Sequence, residues 1–257
     1  MDKSSVAGTI IGIGGILGGL FLEGGKIGQV LQPTAAIIVF GGTLGAVLLQ
    51  FPLASVLEAF WRLKDVISEP KHDGDAKIAE LVAFAIRARR EGIVSLDAQL
   101  SAVEDQFLKK SLMLAVDGTE PLELRKTMEL EMEAAAEQEE NIPRVFESAG
   151  GFSPTIGIIG AVLGLIQVMQ HLQNIEEVGR GIAVAFVATI YGVGSANLFL
   201  LPVAGKLRMR IREAQILREM TLEGVISILE GMNPRMLETK LRGYLHETAE
   251  EAVEHMR

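Results

Sequence analysis

Cysteine is absent from this 257-residue chain, which excludes disulfides, thiolate nucleophiles and Cys-ligated zinc or iron–sulfur clusters. An excess of positive charge is missing too: the formal net charge is −9, the wrong sign for a nucleic-acid partner, since phosphate recognition runs on a basic face. The four histidines, His72, His171, His246 and His255, show no His-x-x-x-His or similar pairing, so no metal site is expected. Paired catalytic carboxylates or an activated nucleophile in a defined pattern are likewise missing, which places an enzyme last among the function classes.

The most informative absence is local. Four stretches, Val6–Leu22, Thr34–Phe51, Phe152–Gln170 and Gly181–Leu201, hold 17 to 21 residues each and contain no Asp, Glu, Lys, Arg or His. At about 1.5 Å rise per residue each can cross a hydrocarbon core of about 30 Å. An all-α membrane protein with four transmembrane helices is therefore expected. Lys3 ahead of the first run mimics a signal peptide, but the run is long and ends in LFLEGGK without a small-x-small cleavage site, so it is taken as a membrane helix.

Nearly all the charge lies in two blocks, Glu58–Glu147 and Lys206–Arg257, which belong in water. The expected division is 1–51 (helices one and two), 52–150 (a helical loop domain), 151–202 (helices three and four) and 203–257 (C-terminal helices). Arg62 and Lys64 follow the second span, and Lys206, Arg208, Arg210 and Arg212 follow the fourth. The opposite loops carry only Lys26 and Arg180. The positive-inside rule then puts both termini in the cytoplasm. Within the loop, apolar residues recur at helical spacing over Asp75–Arg90, where Ile78, Leu81, Val82, Ala85 and Ile86 share a face, and no alternating strand pattern competes. Ser95–Ala115 and Pro121–Asn141 continue as helices around a break at Asp117-Gly118-Thr119, and Lys206–Leu229 and Pro234–Met256 form the C-terminal arm. The glutamate run from Glu123 to Glu140 is expected to be a solvated helix face.

Glycines at three- and four-residue spacing in the spans favour close helix packing. GIGGILGG in the first span lacks the strand, third glycine and ribose-binding acid of a dinucleotide fingerprint. Polar groups inside the spans are few: Thr43, Thr155, Gln167, Thr189, Tyr191, Ser195 and Asn197. Most are expected to bond their own helix backbone. Thr189, near the middle of helix four with Tyr191 beside it, stands out. An ion pathway normally shows an intramembrane ionisable residue, so this chain either conducts nothing or borrows a carboxylate from another chain. Pro154 is expected to open helix three and Pro202 to close helix four, both where a movement in the membrane would be passed outwards.

FSPTIGIIGAVLGLI with Pro154, AVAFVATIYGVGSANLFLLPVAGKL with Thr189 and Pro202, and RARREGIVSLD in the loop resemble the flagellar stator proteins of the motility protein A (MotA/PomA) family over essentially the full length. The resemblance implies a homopentamer around a dimer of motility protein B, whose aspartate carries the ion. It also implies that the cytoplasmic loop pushes on the rotor switch protein FliG. Carried over by position, Arg89 or Arg90 matches the loop arginine, and Asp97 stands where the family usually has Glu. Thr189, Ala161, Thr155 and Tyr191 become the ion-pathway residues, and Pro154 and Pro202 the coupling residues. Sodium-driven relatives tend to place Thr seven residues after the helix-three proline. Ala161 there offers Na⁺ no oxygen, so H⁺ is the expected transported ion, with no cofactor. Two alternatives stay open: an ExbB/TolQ-like proton channel subunit energising envelope processes, typically with three spans, and a non-conducting membrane scaffold.

Overall fold

The computed structural model describes residues 2–68 and 74–254, with side chains described up to residue 245. All regular structure among them is helical. Helix α1, Lys3–Leu22, starts at Asp2, whose carboxylate accepts from the Ser4 and Ser5 N–H groups at 3.0 and 3.3 Å. It ends where Gly24 turns the chain at φ +77°. After the single turn α2 (Ile27–Val30), the second span is assembled from α3 (Pro33–Ala36), a π-turn at Ile37–Gly41 and α4 (Gly42–Gln50). Pro33 sits at the first turn of α3, where its missing N–H costs nothing. Pro52 then starts α5, Leu53–Ile67.

The third span does not begin at Pro154. Helix α8 runs unbroken for 50 residues, Pro121–Gln170, with Pro143 and Pro154 inside it. A proline removes one intrahelical bond but need not end a helix that is held by a neighbour, and α8 is pressed against the next helix through glycine contacts. Nor does Pro202 close the fourth span. Helix α9, Ile175–Ser195, passes through a π-turn at Ala196–Leu200 directly into α10, Leu201–Leu229. A widened turn just ahead of a proline makes room for its ring. Four helices among the described residues are long and apolar enough to cross a membrane: Lys3–Leu22, Pro33–Gln50, and stretches of Pro121–Gln170 and of Ile175–Leu229.

The chain divides into two compact units, Met1–Pro70 with Glu139–Met209, and Lys71–Gln138 with Arg210–Arg257. The division falls inside α8 and α10, not at the ends of the apolar stretches. The first unit holds the spans. Its core has one cluster of Ala35, Val39, Val187 and Ala188, and a larger one in which Val56, Ala59, Ile142, Val145, Phe146 and Leu207 pack α5, α8 and α10 together.

The second unit carries most of the charged residues. Helix α6, Gly74–Glu91, is followed by Gly92 at φ +84° and a 3-10 segment at Ile93–Ala102. The helix expected over Ser95–Ala115 is therefore broken: α7 is Gln106–Val116, capped by Asp105, which accepts from the Phe107 and Leu108 N–H groups at 2.9 and 3.2 Å. Gly118 at φ +81° makes the expected turn into α8, and α11, Pro234–Glu254, closes the unit. Leu81, Leu96, Leu108, Leu112, Leu124 and Met220 are among the residues wholly buried at its centre. Arg125 and Lys240 both pair with Glu223, the former at 2.7 Å. Along the acidic run on α8, Glu123, Glu129, Glu133 and Glu137 are exposed, as expected of a solvated face, while Glu131 pairs with Lys110.

Candidate functional site

Helices α8 and α9 form an antiparallel hairpin whose seam is made of missing side chains. A Cβ at Gly157 would come to 2.9 Å from the Ala188 carbonyl oxygen, one at Gly164 to 2.7 Å from the Gly181 carbonyl oxygen, and one at Gly192 to 2.6 Å from the Ser153 carbonyl oxygen. Backbones this close leave no room for a methyl group. The glycines of α1 behave differently, since Gly8, Gly14, Gly15, Gly18 and Gly19 have nothing within 4 Å of such an atom.

Successive residues turn about 100° around an α-helix. On that wheel Ala161 lies about 70° from the centre of the α8 seam, and Thr189 about 70° from the centre of the α9 seam. In an antiparallel pair these fall on the same flank. The other flank is covered by the second span, where Ile38 lies against Gly160 and Gly42 against Ile156. On the Thr189 flank, Ile158 and Leu165 of α8 and Ile182, Phe186 and Val193 of α9 are exposed. The result is one continuous apolar face, uncovered among the described residues, with Ala161 and Thr189 half-buried along the line where the two helices meet.

The Thr189 hydroxyl donates to the Ala185 carbonyl at 3.2 Å, and the Thr155 hydroxyl to the Phe152 carbonyl at 2.7 Å. Both follow the self-satisfying habit of threonine in helices, and both keep a lone pair free to accept. Thr155 is exposed and lies about 120° around α8 from Ala161, so the four residues expected along one path are not brought together. Tyr191 does separate work: its hydroxyl donates to the Val30 carbonyl at 2.6 Å and accepts from the Gln32 N–H at 3.3 Å, and its ring stacks on Phe40 at 5.7 Å. It fastens the connection before the second span to α9.

Next to Pro154, Ser153 is wholly buried and shares a hydrogen bond of 2.8 Å with Ser195, which ties α8 to the start of the π-turn ahead of Pro202. Two further ties were not legible in the sequence. Asp2, besides capping α1, is ion-paired with Lys206 of α10, and its N–H donates to the Ile67 carbonyl at 2.8 Å. The Lys206 ammonium bonded to it holds the Asp2 carboxyl well below the usual carboxylate range. The start of α1, the end of α5 and the start of α10 are thus on one side of the spans. Arg208 forks onto Glu140 at 2.8 Å and onto Glu147, clamping α10 to α8. Only the charge pattern at the end of helix four hinted at either.

In the second unit Arg89 and Arg90 stand exposed in the last turn of α6, and Asp97 is exposed on the 3-10 segment. Among the described residues none of the three has an ion-pair partner, whereas Arg87 pairs with Glu91 at 3.0 Å. No group of His, Asp or Glu placed to hold a metal occurs among the described residues. His72 and His255 lie outside them, as does the His246 side chain.

These features describe an all-α protein with four membrane-spanning helices that hold no Asp, Glu, Lys, Arg or His. Residues 99–220 match the MotA/TolQ/ExbB proton channel family, and residues 6–91 match the motility protein A N-terminal family. The chain is 36% identical to motility protein A of Bacillus subtilis (strain 168) over 95% of its own length and 91% of that protein's. It is similar to the solved structure of C. jejuni MotAB, with a TM-score of 0.90 and 31% identity over 95% of this chain and 96% of that one. The corresponding values for the flagellar MotAB stator complex from Bacillus subtilis are 0.86 and 34% over 94% and 96%. The chain belongs to the motility protein A family of flagellar stator subunits. It is a channel subunit and not an enzyme.

Proposed function

We propose that this chain surrounds the membrane helices of motility protein B as a homopentamer in the bacterial inner membrane, conducts H⁺ along the shared interface and turns that flow into torque on FliG. One observation carries the reading: the spans hold no Asp, Glu, Lys, Arg or His, yet α8 and α9 present an uncovered apolar face with Thr189 and Ala161 where the two helices meet. A proton path along that face requires a carboxylate from the chain that packs there, which is the part motility protein B plays. Ala161 supplies no oxygen to a sodium ion, which supports proton coupling.

The positive charge that follows the second and fourth spans supports a cytoplasmic side for both termini. Arg89, Arg90 and Asp97, exposed and unpaired, form the charged surface offered to the rotor. Pro154 and Pro202 flank the Ser153–Ser195 tie and serve as the coupling joint. The motility protein A match over residues 6–91 favours the motor reading over an ExbB/TolQ-like one. The test is co-expression with motility protein B, followed by native mass spectrometry of the complex purified through a tag on this chain. Five copies with two partner copies are expected. A complex of any other ratio, or this chain alone, contradicts the proposal.

A further inference from the structure

A cavity of about 500 Å³ opens between the second span, α5, α8 and the π-turn of the fourth span. Val47, Val145, Phe146 and Ala149 form a buried floor, while Phe40, Phe60 and Phe199 are half-exposed and leave one side open. Both π-turns of the membrane region contribute to its wall, Phe40 from Ile37–Gly41 and Phe199 from Ala196–Leu200. Such widened turns recur at functional sites.

The lining is apolar apart from three hydroxyls, and two of them, Ser153 and Ser195, are bonded to each other at 2.8 Å. The third is Thr43. Its side chain is 7% exposed and its Oγ1 has no hydrogen-bond partner. The carbonyl one turn back that a helical threonine normally uses belongs to Val39, which lies inside the π-turn and accepts from the Gly42 N–H. A buried hydroxyl without a partner needs an explanation, and here it lines a space of the size that encloses a small ligand.

We propose that this cavity binds a small membrane-dissolved alcohol, an apolar body held by the phenylalanines with one hydroxyl bonded to Thr43 Oγ1. A bilayer acyl tail would fill the same volume but leave Thr43 unsatisfied, so the hydroxyl selects the alcohol. None of the residues lining the site belongs to the Thr189 face, and its test needs no ion flow.

The probe is an octanol carrying a diazirine, photolysed with the full-length protein purified in detergent together with whatever chain co-purifies. Adducts located by mass spectrometry are expected on the peptides containing Phe40–Val47 and Phe146–Ser153, displaced by 1-octanol and not by octane. Thr43→Val, which keeps the side-chain shape, should cut adduct yield roughly three- to tenfold, the range one lost hydrogen bond allows, and Thr43→Ser should restore it. Ala149→Phe, filling the floor, should abolish labelling at these peptides. Adducts spread evenly over all four spans, equal competition by octane, or equal yield with Thr43→Val would overturn the proposal, pointing to a lipid tail instead. So would no labelling of these peptides, the outcome if a second copy of the chain fills the cavity.

Discussion

Thr189 donates its hydroxyl hydrogen to its own helix and still lies on the uncovered face, so its remaining lone pair is available to a water or a proton-bearing partner. Thr189→Val should therefore lower proton conduction by at least several-fold while Thr189→Ser retains most of it, measured as cytoplasmic acidification in cells co-expressing the partner. Equal conduction by all three would reduce Thr189 to a packing residue. In the second unit the decisive small group is Asp105, which caps α7 and forms an ion pair with Lys77 at 2.9 Å. Burial alone would raise the Asp105 pKa, but the Lys77 hydrogen bond and the capped N–H groups outweigh it and hold the carboxyl below its usual range. Burial would likewise lower Lys77, and its bonds to Asp105 and Glu80 more than offset that, leaving it raised. The depressed carboxyl stabilises the fold above the ordinary carboxylate range, and that contribution is lost as pH falls through its folded pKa. The raised ammonium contributes below the ordinary lysine range, and its share is lost as pH rises through its folded pKa. Asp105→Ala should cost about 0.5–2 kcal/mol at neutral pH through the lost cap, read by denaturant unfolding, and the difference from the parent should shrink in acid. A difference that stays constant into acid would contradict this. Thr189 was legible in the sequence as a polar group near the middle of an apolar run, with Tyr191 beside it. The Asp105 cap was hidden, because a helix was expected straight through it.

Elements are where sequence and structure part most. The four apolar stretches located the spans, since length and lack of charge are what a bilayer selects. Proline was the weaker guide, because a rule about isolated helices does not see the neighbour that holds α8 together past Pro154, or the π-turn that lets the fourth span run on into α10. The glycine pattern misled in another way: the richest run, in α1, touches little within this chain, whereas Gly157 and Gly164 sit against the backbone of α9. Gly164→Val should therefore lower the stability of the purified protein by about 1–3 kcal/mol, the usual cost of overpacking, while Gly14→Ala leaves the melting temperature unchanged. A harmless Gly164→Val would mean that the α8–α9 seam can open. Pro202→Ala should leave assembly intact but reduce swimming speed, because the joint it shares with the π-turn is altered. Unchanged swimming would remove Pro202 from the coupling.

For the whole molecule, absences carried the reading. A chain with no intramembrane charge and an uncovered apolar face is, in the proposed reading, half of a device whose other half motility protein B brings. The sequence could suggest the borrowed group but not the face that receives it, which depends on how two helices and the second span pack. The direct measurement is proton influx in cells expressing this chain with motility protein B, each alone, and together with the partner's membrane aspartate changed to asparagine. Influx only when both chains and the aspartate are present is the expected result. Influx from this chain alone, or undiminished by the asparagine, would contradict the shared pathway.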